Sequence, residues 1–274
     1  MPQTVVTPLD SPQAVTFGNV VKAAYAQFEA APQELNPTTL PGMPDGFHIV
    51  RNIQMSDFVN DNTPAADPKF YGVLAADTEG NLVVALRGTD TFTEWWDDLH
   101  LGLTSFEDTV AGGGRVIDGF YRIYKTLTST DPNDPAATPS ALLGHIDDSV
   151  PLTVTGHSLG AALATLLAVD MFVNAHLRPE VWTFGSPKVG DATFAATYGF
   201  HASVSWRIYN LPDVVPLAPI DLFGSYQHVS TGFPISSGNR TRTSLGCFHH
   251  LTTYLNVLSG GATPIDQDCR PLGA

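Results

Sequence analysis

The apolar and polar positions of this chain alternate between helical and strand periods, and the alternation predicts an α/β protein. Residues 11–31 have helical spacing, beginning at the cap and first-turn pair Ser11–Pro12 and ending before Pro32. Strands separated by helices predict a mostly parallel sheet with helices on both faces and with functional sites at the carboxyl ends of its strands. The predicted strands are 47–55, 69–77, 81–89, 151–156, 180–185 and 204–210, and the later predicted helices are 115–129, 158–176 and 190–199.

The composition agrees with one globular domain of ordinary size. Of the 274 residues, 43% are hydrophobic and 15% are charged, which is enough apolar material for a core. The one stretch with loop composition, residues 128–140, is too short to divide domains, so we expect a single domain over residues 1–274. The net charge of −14 argues against nucleic-acid binding through phosphate neutralisation.

The ends of the chain carry few further indications. The first residues lack the basic and apolar regions of a signal peptide, and no long apolar stretch predicts a membrane-spanning helix. We therefore expect a soluble chain without an integral membrane segment, either intracellular or secreted with its signal removed. Cys247 and Cys269 lie 22 residues apart, and the sequence leaves open whether they are paired.

The stretch Gly156-His157-Ser158-Leu159-Gly160 has the pattern G-x-S-x-G between a predicted strand and a predicted helix. A tight turn at this point needs glycines on either side of the serine, so that the strand and the helix can approach each other. Ser158 is then exposed above the positive end of the helix, where a developing oxyanion is stabilised. His157 leaves the turn in another direction, and we expect it to pack beneath the serine rather than act as its base.

A nucleophilic serine needs a histidine base and a carboxylate, and on this fold the order along the chain is serine, acid, histidine. Asp213 follows the predicted strand 204–210 in a proline-rich loop, although an aspartate in an ordinary turn would have the same pattern. Of the later histidines, His228 has the alternation of a strand residue and is interpreted as structural. His249 and His250 precede a helix, and one of the two is the candidate base.

Several ordered stretches between residues 70 and 258 together resemble the class 3 lipases, the fungal and plant type of α/β-hydrolase lipase. The resemblance implies the α/β-hydrolase fold, with Ser158 as nucleophile and Asp213 as acid. His249 has the spacing H-x-L-x-x-Y of plant and bacterial members, whereas His250 directly precedes Leu251, as the histidine does in the shorter fungal pattern H-L-x-Y, and we favour His249. The stretches are VALRGTDTFTEWWDDL (84–99), VTGHSLGAALATLLA (154–168), TFGSPKVGDATF (183–194) and YNLPDVVPLAP (209–219).

The resemblance also implies an oxyanion hole formed by the backbone N–H groups of Leu159 and Thr89, with a contribution from the Thr89 hydroxyl. One position departs from the family, because Ile117 stands where a histidine is frequent. That position is outside the triad, so the departure concerns the subfamily rather than the chemistry.

A lid is expected over about residues 90–104, directly after Thr89. Phe92, Trp95, Trp96 and Leu99 have the spacing of one apolar helix face, with acidic residues opposite. The alternative is an amphipathic helix that faces the core. In the lid interpretation, opening exposes the two tryptophans to a lipid surface, and the acidic face favours neutral over anionic lipids.

The expected activity is hydrolysis of carboxylic esters, foremost of acylglycerols as in a triacylglycerol lipase, through an acyl-serine intermediate. A short-chain or feruloyl-type esterase, or a phospholipase A1, remains open on the same triad, as does a binding protein that keeps only the fold. Neither a metal nor an organic cofactor is implied, because the histidines lack ligand spacing and AGGGRV (111–116) fits no phosphate loop. We expect a monomer whose partner is a lipid or ester substrate at an interface.

Overall fold

The fold is described from a computed structural model, over residues 9–57, 67–89, 100–134, 136, 138–220 and 225–271. These residues form an eight-stranded sheet in the order β10-β9-β8-β7-β3-β2-β1-β6. The strands are β1 His48–Ser56, β2 Pro68–Ala76, β3 Leu82–Leu86, β4 Leu103–Ser105, β5 Arg115–Ile117, β6 Thr128–Thr130, β7 Leu152–His157, β8 Glu180–Phe184, β9 Ser205–Asn210 and β10 Gly232–Ile235. The α-helices are α1 Ser11–Ala30, α2 Asp118–Tyr124, α3 Leu159–Asn174, α4 Ala192–His201, α5 Leu245–His249 and α6 Leu251–Leu258.

The half of the sheet from β3 to β10 is parallel, and the half from β3 to β6 is antiparallel. The prediction of a mostly parallel sheet with helices on both faces is therefore confirmed. Short apolar strands such as β7 are buried along their whole length, as expected for strands covered on both faces. The parallel half brings the carboxyl ends of β3, β7, β8 and β9 to one edge of the sheet.

Two apolar cores lie on the two faces of the sheet. On one face, α1 and α6 pack against side chains that include Trp182 and Phe184. On the other face, α2, α3 and α4 cover side chains that include Val154 and Val181. Helix α3 has thirteen of its sixteen residues buried, because small alanine and glycine side chains let it lie close to β7.

The structure corrects two local predictions. Residues 115–129 do not form one helix, because Arg115–Ile117 pairs with Leu103–Ser105 and Thr128–Thr130 pairs with β1. Their β-branched residues fit these pairings, so tertiary contacts decide against the helical spacing. The cap of α1 is Asp10 rather than Ser11, since its side chain accepts a hydrogen bond from the Gln13 N–H.

Part of the predicted lid, residues 90–99, lies outside the described residues, and so do Phe92, Trp95, Trp96 and Leu99. Leu103 and Thr104, which the predicted lid includes, belong instead to the short strand β4. No helix of the described residues has the length and apolar character needed to cross a membrane.

A disulfide joins Cys247 and Cys269, which answers the question that the sequence left open. The bond ties the segment after α6 to α5. The carbonyl of Cys269 also accepts hydrogen bonds from the backbone N–H of Arg242 and the hydroxyl of Thr241. The C-terminal segment is thus fixed beside the helix that ends in His249.

A matched pair of glycine substitutions tests the close approach of α3 to the sheet. A Cβ at Gly160 would lie 2.3 Å from the Leu86 carbonyl oxygen, whereas a Cβ at the helical, exposed Gly199 would meet no atom within 4 Å. We expect Gly160→Ala to lower the free energy of unfolding by about 1–3 kcal/mol or more. Gly199→Ala should raise it by about 0.5–1 kcal/mol through helix propensity. Equal effects in thermal unfolding would contradict this account of the contact.

Candidate active site

Ser158 lies in the turn between β7 and α3 and has a strained backbone. Its φ of 58° and ψ of −123° are rare for a residue with a side chain. The turn is held by a 3.0 Å hydrogen bond from the Ser158 N–H to the Phe184 carbonyl. A Cβ at Gly156 would lie 2.3 Å from the Gly160 carbonyl oxygen, so neither glycine position has room for a side chain.

The hydroxyl of Ser158 is buried and has no hydrogen-bond partner among the described residues. Its neighbour across the site is the segment after β3, because a Cβ at Gly88 would lie 3.0 Å from the Ser158 Cβ. Thr89 follows directly, and its hydroxyl is also buried without a partner in the described part of the chain. The first N–H groups of α3, beginning with Leu159, lack partners inside the helix. The segment after β3 and the first turn of α3 therefore both adjoin Ser158.

Arg87 fixes the backbone of the segment that carries Thr89, a role that sequence reasoning missed. Its buried guanidinium donates hydrogen bonds to the carbonyls of Phe70, at 2.8 Å, and Gly88, at 2.6 Å. The same group lies 3.5 Å from the ring centroid of Phe28 on α1. The arginine of the matched RGT stretch was the sequence feature that could have indicated this role.

Asp213 and His249 meet in a buried hydrogen bond. His249 Nδ1 lies 2.7 Å from Asp213 Oδ2, and a carboxylate accepts, so Nδ1 carries the proton. The other oxygen, Asp213 Oδ1, accepts from the Val215 N–H at 2.9 Å. His249 is adjacent to the end of β8, since a Cβ at Gly185 would lie 3.0 Å from its Cε1 atom. Phe184, the last residue of β8, is the residue that binds the Ser158 N–H, so all three candidate residues converge on this edge.

Tyr254 and Asn210 hold Asp213 in place, and sequence reasoning assigned neither residue a role. The Tyr254 hydroxyl donates to Asp213 Oδ2 and accepts from the Asn210 N–H. Burial and the neighbouring carboxylate raise the pKa of Tyr254 well above its ordinary value, so it remains a donor. The Asn210 side chain donates to the carbonyl of Phe248, the residue before His249. The fixed spacing from His249 to Tyr254 was the available indication.

The other histidines occupy separate positions. His250 Nδ1 accepts from the Thr252 N–H at the start of α6, and burial lowers its pKa. His228 donates from Nε2 to the Pro216 carbonyl at 2.7 Å, in the loop that follows Asp213. His157 lies beside His249, with ring centroids 4.7 Å apart, rather than at the Ser158 hydroxyl. Among the described residues, His249 is thus the histidine bonded to Asp213.

A cavity of about 600 Å³ opens onto this site between α1 and residues 244–252. Thr89 and His249 are among its lining residues, and Val214 and Leu245 contribute apolar side chains to its wall. No three His, Cys, Asp or Glu side chains of the described residues are close enough together to hold a metal ion.

Comparison with known proteins agrees with this architecture. Residues 83–223, more than half of the chain, match the family described as Lipase (class 3). The chain is 32% identical over 216 residues to phospholipase A1-II 5 of Oryza sativa subsp. japonica, covering 68% of this chain and 46% of that protein. It is 30% identical over 210 residues to phospholipase A1-IIgamma of Arabidopsis thaliana, covering 66% and 48%. The chain thus spans about half the length of these curated relatives.

Solved lipase structures share the fold at low sequence identity. A Rhizomucor miehei lipase propeptide complex has a TM-score of 0.62 and 22% identity, covering 84% of this chain and 68% of that one. The lipase of Rhizopus microsporus var. chinensis has a TM-score of 0.61 and 21% identity, covering 84% and 76%. The predicted α/β-hydrolase fold is confirmed.

The pKa of His228 leads to a stability prediction. Burial, with the charges of Arg207 and Lys188, lowers this pKa to about 4. The unfolded chain, with a histidine pKa of about 6.5, therefore binds more protons between pH 6.5 and 4, and the free energy of unfolding falls as the pH falls through that window. We expect His228→Gln, which keeps a donor for Pro216, to reduce this slope in denaturant unfolding at several pH values. An unchanged slope would show that folding does not lower the pKa of His228.

Proposed function

This chain belongs to the class 3 lipase family, and on that premise we propose that it hydrolyses carboxylic esters of acylglycerols through an acyl-Ser158 intermediate. The observation that carries the proposal is the buried 2.7 Å bond between Asp213 and His249, next to the strained turn of Ser158. This combination has the geometry of a nucleophile elbow with a histidine base and an orienting acid.

In the first step, His249 Nε2 takes the proton of Ser158 as the serine oxygen attacks the ester carbonyl. Asp213 keeps the proton on Nδ1 and stabilises the imidazolium that forms. The N–H groups of Thr89 and Leu159 donate hydrogen bonds that stabilise the negative charge on the carbonyl oxygen, and so does the Thr89 hydroxyl, which has no partner among the described residues.

In the second step, His249 gives its proton to the leaving alkoxide, and an alcohol departs from the acyl-enzyme. Water then attacks the acyl group while His249 accepts one of its protons, and the carboxylic acid leaves as Ser158 regains its hydrogen. The net reaction consumes one ester and one water molecule and yields an alcohol and an acid.

The alternative of a non-catalytic binding protein explains the features of the site less well than a hydrolase does. The left-handed backbone of Ser158 costs about 1–3 kcal/mol. The buried hydroxyls of Ser158 and Thr89, which have no partner among the residues that the structure describes, add a desolvation penalty. An enzyme is expected to keep this strained backbone and these hydroxyls, because its substrate completes the missing hydrogen bonds. A non-catalytic protein would bear the same cost without that gain.

Exposed apolar side chains on a loop that reaches the cavity support a substrate at a lipid interface. The loop after β9 carries Leu211, Val214, Leu217 and Ile220, which are between 44% and 84% exposed. Val214 lines the cavity together with Leu245, which is 56% exposed. An exposed apolar surface of this kind is typical of an interaction site. On the sequence pattern, we propose that Phe92, Trp95, Trp96 and Leu99 extend it as the apolar face of a lid.

A phospholipase A1 is the second candidate, because the rice and Arabidopsis relatives carry that name. It uses the same triad and releases a lysophospholipid in place of a diacylglycerol. Emulsified triacylglycerols, zwitterionic phospholipid vesicles and soluble p-nitrophenyl esters of rising chain length separate the candidates. A rate that peaks on short soluble esters would instead favour a plain esterase.

The nucleophile is tested by labelling with a fluorophosphonate. We expect wild type to be labelled at one site and Ser158→Ala to be unlabelled, with ester hydrolysis reduced by about 10⁴-fold or more. Ser129→Ala is the matched control, because Ser129 is buried in β6 far from the elbow, and it should be labelled like wild type. An unlabelled wild type would refute the hydrolase proposal.

The role of the exposed apolar side chains on the loop after β9 is tested by comparing the rate of hydrolysis of emulsified esters with that of soluble esters. We expect Leu217→Ser with Ile220→Ser to lower the ratio of the emulsion rate to the soluble-ester rate by about 10-fold, because the variants remove apolar surface that contacts lipid. Phe200→Ser is the control. Phe200 is 86% exposed, but it lies near the end of α4, which leads into the amino end of β9 rather than the carboxyl end. Equal ratios in both variants, or faster hydrolysis in anionic vesicles than in neutral emulsions, would contradict the proposed neutral-lipid interface.

A further inference from the structure

Tyr25 on α1 and His157 in the elbow connect the two sides of the candidate active site. We propose that these two residues are positioning residues, which hold the segment of Thr89 and the base His249 in one fixed relative geometry. The inference rests on the proposed function and goes beyond it, because the hydrogen bonds that carry it join these residues to each other and to backbone groups of Gly88 and His249.

A continuous chain of hydrogen bonds carries the connection. The Gly88 N–H donates to the Tyr25 hydroxyl oxygen at 2.7 Å. The same hydroxyl lies 2.9 Å from His157 Nδ1. His157 Nε2 lies 2.8 Å from the backbone carbonyl oxygen of His249. Three bonds thus run from the residue before Thr89 to the backbone of the base.

The direction of each bond follows from the chemistry of its partners. A carbonyl only accepts, so His157 Nε2 carries the proton and donates to His249. In the neutral ring, Nδ1 is then an acceptor, and the Tyr25 hydroxyl donates to it. The oxygen of Tyr25 keeps a lone pair for the Gly88 N–H. Every donor in the chain therefore has one acceptor, and a single tautomer of His157 satisfies all three bonds.

The neutral state of His157 matters for the proposed reaction. Burial and the neighbouring His249 and His250 lower the pKa of His157 well below its ordinary value. The other titratable groups that face it are Tyr25 and Tyr254, whose ring centroid is 6.0 Å away. When His249 becomes an imidazolium, a second cation stacked at 4.7 Å would oppose its charge, whereas a neutral ring does not.

The connection joins parts of the site that no short backbone path links. Thr89 follows β3, and His249 ends α5, 160 positions later in the chain. Tyr25 lies on α1 and packs against the same core that the buried residues of this helix form with the sheet. The contact is tight, because a Cβ at Gly88 would lie 2.5 Å from the Tyr25 hydroxyl. The two side chains therefore fix the distance between the oxyanion segment and the base.

The first test is Tyr25→Phe, which removes one hydroxyl and keeps the ring. We expect kcat on soluble p-nitrophenyl butyrate to fall by about 10- to 100-fold with KM nearly unchanged, since small displacements of catalytic groups have effects of this size. Tyr198→Phe is the matched control: Tyr198 is buried on α4, and its hydroxyl is bonded to the Ser205 hydroxyl at 2.7 Å. It should lose similar stability in thermal unfolding and keep the wild-type kcat.

The second test compares two substitutions of similar shape at the other end of the connection. His157→Gln can donate to the His249 carbonyl and accept from Tyr25, whereas His157→Met can do neither. We expect His157→Gln to keep most of the kcat that His157→Met loses. In proton NMR, the downfield signal of the His249 Nδ1–H should persist in wild type and in His157→Gln and should broaden in His157→Met.

The outcomes separate this inference from the proposed function. If fluorophosphonate does not label wild type, the proposed function fails, and the positioning role fails with it. If wild type is labelled and active, but Tyr25→Phe keeps the wild-type kcat or His157→Met equals His157→Gln, only the positioning role is wrong. Should His157→Met fail to fold, the comparison of Tyr25→Phe with Tyr198→Phe decides the question.

Discussion

The close approach of β7, α3 and the end of β3 is the constraint on which the rest of the structure depends. Gly156 and Gly160 leave backbone in contact with backbone, and Gly160 lies against the carbonyls of Leu86 and Arg87. This contact forces Ser158 into a left-handed conformation. The conformation is maintained because β7 is bonded to strands on both sides and α3 is buried along almost its whole length. A rigid surrounding is what allows a strained residue to persist.

The polar groups around this turn divide into those with protein partners and those left for a substrate. Asp213 is held by Val215, Tyr254 and His249, so its charge is buried but fully hydrogen-bonded. The hydroxyls of Ser158 and Thr89, by contrast, have no partner in the described part of the chain. In the proposed reaction, the site is therefore ordered before substrate arrives, and the ester would complete the missing bonds.

The sequence predicted elements well where the pattern was local and strong. The helix of α3 and the strand β9 appear within a few residues of their predicted bounds, because their apolar residues face a core on the side that the spacing indicates. Residues 115–129 were predicted incorrectly, since the pairing of β5 with β4 and of β6 with β1 depends on partners that local spacing does not reveal. The Asp10 cap was missed because Ser11 offers an equally suitable side chain one position later.

By itself, the sequence determined the α/β class, the elbow at Ser158 and the position of Asp213 after a strand, because each is set by neighbours within about ten residues. The tertiary structure decided which of two adjacent histidines meets Asp213, since the break between α5 and α6 turns His249 inward and leaves His250 as a cap. It also decided the pairing of Cys247 with Cys269 and the contact of Tyr25 with His157. These depend on which distant segments pack together, and that is a property of the whole core rather than of any local spacing.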